Sequence, residues 1–236
     1  MLMRWLLLLL LLFPAPGFAQ SGLPGIGNDD PRRAVDRRQM PWRALGRVQT
    51  ELGGRCTGAL IAPRLVLTAA HCLVAPRTAN LVQPRSVHFL LGYERGGRAG
   101  EARVTGYRLG EGFHVGPDIP AGADWAVLML DRDMAPREFT LPLMPGVPPM
   151  RTPLMLGGYQ QDRPELLLAD TNCRALGIMR GLLLHDCAGT RGVSGGPILA
   201  ALPGGGWTVA GVASRATLDA ALGLAVATKG IADELR

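Results

Sequence analysis

The chain has 236 residues, 47% of them apolar and 19% charged, with 25 basic against 19 acidic side chains and a formal net charge of +6. That apolar share is enough to close a core and excludes a disordered chain, and no second long apolar run follows the first dozen residues, which excludes a multi-span helical membrane protein. Lys229 is the sole lysine, and the arginines are scattered apart from Arg32, Arg33, Arg37 and Arg38; no nucleic-acid-reading motif accompanies them, so they read as a solvated basic surface with no nucleic-acid partner.

In chain order, Met1–Arg4 give a short basic start, Trp5–Phe13 an unbroken apolar run, and Gly17-Phe18-Ala19 small residues at the two positions a signal peptidase reads. This is the plan of a secretory signal peptide over 1–19, cut after Ala19, and the run is too short to span a bilayer core. A secreted or periplasmic protein is therefore expected, with no stable membrane anchor after cleavage, in a compartment where its four cysteines can pair. Residues 20–41 are rich in Gly, Pro, Asp and Arg without periodicity and read as an irregular N-terminal arm or pro-segment.

From Trp42 onward short apolar runs alternate with turn signals: Ala44–Val48, Ala59–Ile61, Leu65–Thr68, Val87–Leu91, Trp125–Leu130, Leu154–Leu156, Leu182–Leu184, Pro197–Ala200, Trp207–Val212 and Leu224–Ala227. With 32 Gly and 19 Pro to turn the chain, the pattern argues for an all-β sandwich or barrel rather than alternating βα units. Five prolines within Asp131–Met150 mark a connection between two halves, 42–135 and 136–236. Helix is expected only over Ile231–Arg236 and part of 217–223.

Four positions carry chemistry. Cys56 lies sixteen residues before Cys72, on the preceding strand, so that a bridge would staple a hairpin-like loop, worth about 3 kcal/mol in the chain-entropy model. His71 closes Thr68-Ala69-Ala70-His71, where the end of an apolar strand can hold an imidazole. Asp124 stands at the mouth of the buried run Trp125–Leu130, where a carboxylate can be partly buried and orient a histidine; Asp118, among Gly116, Pro117 and Pro120, lacks a strand to fix it. Ser194 lies in Gly192-Val193-Ser194-Gly195-Gly196-Pro197, a backbone able to turn sharply, expose the hydroxyl and aim N–H groups at one point. The same letters satisfy the nucleophile elbow of α/β-hydrolases, but that fold places its histidine after the serine, and His71, His88, His114 and His185 all precede Ser194. His88, His114 and His185 read as structural residues.

Cys56 to Cys72, Asp124-Trp125-Ala126-Val127-Leu128 and Gly192 to Pro197 resemble, in the same order, the histidine, aspartate and serine blocks of trypsin/chymotrypsin-like serine proteases. The resemblance covers nearly all of the chain after the arm. It implies two antiparallel six-stranded β-barrels with the site in the cleft between them, the first supplying His71 and Asp124 and the second Ser194. It further implies a serine endopeptidase, acting on protein or peptide substrates as a monomer and without a cofactor or metal, with the N–H groups of Gly192 and Ser194 as oxyanion hole. Ser214 aligns with the serine that supports the aspartate, and a second disulfide, Cys173–Cys187, is implied beside the primary pocket. That pocket is expected from Ala188, Gly189, Thr190, Arg191, Ala213, Ser214 and Arg215.

Two departures stand out. Val193 occupies the position where digestive enzymes of the family carry an aspartate that pairs with a newly cut N-terminus, and Pro24-Gly25-Ile26-Gly27 only weakly imitates the usual mature start, so the usual zymogen switch is not expected. Val193 also motivates an alternative, a catalytically silent protease-fold binding protein. His185-Asp186-Cys187-Ala188-Gly189-Thr190 resembles the bacterial glutamyl endopeptidase-like branch, but Ala213 stands where that branch has a histidine. Ala188 at the expected pocket floor argues against Arg or Lys, and for a neutral or small apolar residue, before the cleaved bond.

Overall fold

The computed structural model describes residues 23–235 apart from 117, 121 and 219; the expected signal segment lies outside the described residues. In chain order the strands are β1 (Arg33–Ala34), β2 (Leu45–Thr50), β3 (Arg55–Ala62), β4 (Leu65–Thr68), β5 (Val87–Leu91), β6 (Gly100–Leu109) and β7 (Ala126–Leu130). After the proline-rich connection come β8 (Pro153–Gln160), β9 (Arg163–Met179), β10 (Leu182–His185), β11 (Pro197–Ala201), β12 (Trp207–Ala216) and β13 (Gly223–Ala227), then one helix, α1 (Thr228–Glu234). β2-β3-β4-β7-β6-β5 close one antiparallel barrel. β8 to β13 close a second six-stranded barrel, because β9 pairs with both β10 and β8.

Alternation builds the barrels. In β5, Val87, Phe89 and Leu91 turn into the first barrel while His88 faces outward to Glu51 and Glu101. There they meet Leu45, Leu60, Leu67 and Leu128, all fully buried. A smaller core fills the second barrel with Leu154, Leu156, Leu183 and Ile198 around the Cys173–Cys187 bridge.

The expected all-β, two-barrel architecture is the observed one, and the runs Leu65–Thr68 and Val87–Leu91 are strands over those same bounds. The differences lie elsewhere. β6 and the seventeen-residue β9 did not stand out as apolar runs, because each alternates buried with exposed residues or carries polar ones. The helix begins at Thr228, and the described residues of 217–223 form no helix. The described part of the arm is mostly turn and coil but is docked: β1 pairs with β9 at Arg33↔Ala169, and Arg32, 1% exposed, is held by Asp30, Asp162 and Gln160. A buried arginine needs such partners, and they dock the arm on the second barrel.

Candidate active site

Strand register brings the first two site residues together. Thr68 at the end of β4 pairs with Ala126 at the start of β7, so the segments just beyond β4 and just before β7 converge. His71 lies in the tight turn Ala70–Leu73, and its backbone N–H donates to Asp124 Oδ1 at 3.0 Å while its Nδ1 meets Asp124 Oδ2 at 2.8 Å. The Ser214 hydroxyl, from β12 of the other barrel, donates to the same Oδ2. Burial of Asp124, 4% exposed, opposes its ionisation. The hydrogen bonds from the His71 ring, from Ser214 and from the His71 backbone, with the imidazole's charge, outweigh it and hold the carboxyl below the usual range. Asp118 lies exposed in the loop before β7 and makes no hydrogen bond to His71, and His114 turns to the Gly112 carbonyl.

The serine loop packs against this corner. Thr57 of β3 donates its N–H to the Ser194 carbonyl at 2.9 Å, and Cys72 Sγ lies 3.8 Å from that same oxygen. Gly195 has φ +78°, and a Cβ there would fall 2.2 Å from Thr68 Oγ1, so only glycine lets the loop approach β4. The Ser194 hydroxyl makes no hydrogen bond to His71; such contacts are commonly loose until substrate is bound. Gly192, at φ +94°, sends its carbonyl to Thr57 Oγ1, and the Arg191 carbonyl accepts from Gln161 N. Both carbonyls are thus turned away, and the N–H groups of Gly192 and Ser194 donate to no described residue.

Beside Ser194 opens a cavity of about 250 Å³, lined by Gly189, Thr190, Arg191, Ala213, Ser214 and Arg215 of the expected set. Ala188 is the exception: fully buried, its N–H tied to Asp170 Oδ2 at 2.9 Å, it does not line the cavity. The floor argument from Ala188 therefore falls. A different one replaces it, since no acidic side chain among the described residues lines the cavity.

His185 lines this cavity too, contrary to its sequence reading as a structural residue only. It sits across from Gly223 in the β10–β13 ladder, and a Cβ at Gly223 would meet its ring at 2.4 Å. A histidine facing a glycine across a ladder gains room to lie flat, which sequence alone does not reveal. Its Nδ1 accepts the Cys187 N–H at 3.2 Å, which makes the ring neutral with the proton on Nε2, and burial pushes its pKa down to about 4. Pro24 of the arm, Leu218 and Gly223 are among the further wall residues that sequence reading missed.

Both expected disulfides are present, Cys56–Cys72 and Cys173–Cys187. The second follows from register: His185 opposes Ala175, so the chain positions two beyond that pair are the cysteines. Among the described residues the groupings that gather three residues of metal-ligating type are Cys56, His71, Cys72 and Cys173, Asp186, Cys187; in each the sulfurs are spent on a disulfide and offer no thiolate.

The trypsin family's sequence model matches residues 31–229. Among solved structures, one described as the structure of Glu endopeptidase in complex with MPD superposes with a TM-score of 0.75 at 19% identity, covering 89% of this chain and 97% of that one. At that identity the likeness is one of fold. A search of curated proteins finds no match. A family match over most of the chain, on two closed antiparallel barrels, has one meaning: the chain belongs to the trypsin family and is a serine endopeptidase.

Proposed function

We propose that the chain cleaves peptide bonds through an acyl-enzyme formed on Ser194. His71 takes the Ser194 proton as the hydroxyl attacks the substrate carbonyl, then hands it to the leaving amine; a water activated by the same imidazole releases the acyl group. Asp124 holds the His71 ring by Nδ1, keeping Nε2 free for the proton, and offsets the charge the ring acquires. The N–H groups of Gly192 and Ser194 receive the developing oxyanion; losing one such donor typically costs about 10²–10³ in rate. The observation that carries this reading is the pair of uncommitted N–H groups on a serine loop packed beside an aspartate-held histidine. A silent binding protein would gain nothing from that pair, and an inward-turned carbonyl, which would block it, is absent at Arg191 and Gly192.

The cavity beside Ser194 takes the side chain that precedes the cleaved bond. Arg or Lys finds no carboxylate there among the described residues and is rejected. Export through residues 1–19 is part of the same proposal, supported by two disulfides of the kind that persist outside the reducing cytosol. Among the described residues no helix is long and apolar enough to cross a membrane.

The test is Ser194→Ala. The unaltered protein hydrolyses casein and is labelled at Ser194 by a fluorophosphonate, and both activities vanish in the variant. Casein hydrolysis that survives the substitution overturns the mechanism. Sequencing of the exported protein should begin at Gln20.

A further inference from the structure

A second cavity, of about 320 Å³, touches the serine loop at Gly192 and shares no lining residue with the first. Both barrels wall it: Arg47 from β2 and Arg55 from β3, facing Gln160 and Gln161 at the β8–β9 turn.

Two of these side chains are buried with donors left over. Gln160, 1% exposed, accepts at Oε1 from Arg32 Nη1 at 2.6 Å and from the Thr190 N–H at 2.8 Å. Two donors on one oxygen fix the amide's orientation, and its Nε2 is then a buried donor with no partner among the described residues. Arg47, 5% exposed, stacks on Tyr93 with its guanidinium carbon 3.5 Å from the ring centroid and gives Nη2 to Gln49 Oε1 at 2.8 Å. Its Nε and Nη1 make no hydrogen bond. The nearest carboxylate oxygen, Glu165 Oε1, is 3.7 Å from Nη1, an ion pair without a hydrogen bond, and the other Glu165 oxygen takes the Tyr93 hydroxyl at 2.6 Å. Buried donors are nearly always satisfied, so three unsatisfied ones on two side chains that line a single cavity, with Arg55 added and no acidic residue among the described lining, favour an anionic acceptor there.

Its position says which part of a substrate arrives there. If Ser194 is the nucleophile, as proposed above, the cavity at Ser214 and Arg215 holds the acyl side of the scissile bond. The chain leaving past Gly192 toward β3 is then the leaving group. We infer that the Arg47–Gln160 cavity is a leaving-group subsite that selects a carboxylate shortly after the cleaved bond. Either an Asp or Glu side chain or the free C-terminus of a short leaving segment supplies it.

The test uses Ser194→Ala protein, which binds without turnover, and fluorescein-labelled peptides read by anisotropy. One peptide carries Asp or Glu in the first three positions after the bond and an amidated end. A second carries Asn or Gln instead, and a third has neutral side chains and a free C-terminal carboxylate. At least one carboxylate form binds about tenfold or more tightly than the amidated neutral peptide, and the form that does so identifies the source. Adding Arg47→Met removes the preference. Where Arg47→Met does not fold, Gln160→Glu keeps an acceptor for Arg32 and Thr190 but turns the free donor into a carboxylate oxygen, and the preference reverses. Equal binding of all forms, no binding of any, or a preference unchanged by these substitutions overturns the inference. Casein hydrolysis is measured separately on the protein with Ser194 intact, so failure of the catalytic reading and failure of the subsite remain distinct.

Discussion

Lowering the pH from 7.5 to 5 should destabilise the fold through His185 alone by about 2 kcal/mol. The ring is 2% exposed, accepts the Cys187 N–H at Nδ1, and has its pKa pushed down to about 4 from an ordinary 6.5. The folded state therefore keeps the ring neutral while the unfolded chain takes up a proton below 6.5, so the unfolded state binds more protons in this window. The ring's contribution is fully present above pH 6.5, is lost as the pH falls from 6.5 toward 4, and changes no further below that. At pH 5 the unfolded ring is almost wholly protonated and the folded one mostly neutral, and linkage converts that difference to about 2 kcal/mol. Asp124, held below the usual carboxylate range, gives up its contribution only at more acidic pH and barely overlaps. Urea unfolding followed by tryptophan fluorescence at both pH values, on the unaltered protein and on His185→Gln, isolates the effect. Glutamine can still accept the Cys187 N–H but does not titrate, so its loss between the two pH values should be smaller by about 2 kcal/mol. Equal losses in the two proteins refute the reasoning.

Asp124→Asn leaves His71 with the wrong tautomer and lowers kcat by about 10⁴-fold on a peptide substrate, with thermal melting as the check that the fold survives. Gly195→Ala combines a positive φ with a Cβ lying 2.2 Å from Thr68 Oγ1 and 2.4 Å from the Thr57 carbonyl, so fluorophosphonate labelling of Ser194 is abolished. Replacing Cys173 and Cys187 together by serine opens a loop with a sequence separation of 14 and costs about 3 kcal/mol in urea unfolding. Arg32→Met strands Asp162 and frees Gln160 from one of its two donors; because Asp30 and Asp162 keep 37% and 19% of their side-chain surface, the cost falls below that of a fully buried pair, about 2 kcal/mol in the same assay.

Legibility followed the range of the interactions. His71, Asp124 and Ser194 could be read because each sits in a local pattern that constrains its own backbone: the end of an apolar run, the mouth of a buried strand, a glycine-flanked turn. Cys56–Cys72 was readable for the same reason. β6 and β9 were not, because strands that keep one face toward solvent, or run on past one partner to pair with the next, lack the continuous apolar run that betrays a buried strand. His185 needed the β10–β13 register to be seen as a pocket wall, and Ala188 needed Asp170, eighteen residues away, to be drawn out of it. Arg32 shows the same limit from the other side. Its charge suggested a solvated surface, and the neighbouring Asp30 needs two further acceptors some 130 residues on, Gln160 at the end of β8 and Asp162, to explain its burial.

Val193 ties these threads to the site. An aspartate at that position would be a buried charge in want of a partner, and the loop's shape would then depend on when the partner arrives. Valine removes that dependence. Its side chain, 7% exposed, belongs to the apolar core with Leu156, and Gly158 and Gly189 lie so close that a Cβ on either would meet its methyls at 3.0 Å. Its backbone is fixed at both ends, Val193 N–H to the Thr190 carbonyl at 3.0 Å and Gly196 N–H to the Val193 carbonyl at 2.7 Å. Gly195 N–H reaches the Ala213 carbonyl at 2.8 Å, and on the far side of the pocket wall the Gly189 N–H is taken by Gly25 of the arm at 2.9 Å. Packing and backbone hydrogen bonds do not wait for a charge to be created by chain cleavage. Among the described residues the serine loop is held by packing and backbone hydrogen bonds, and the arm adds to them through the Gly25 carbonyl and through Arg32, which shares Gln160 Oε1 with the Thr190 N–H.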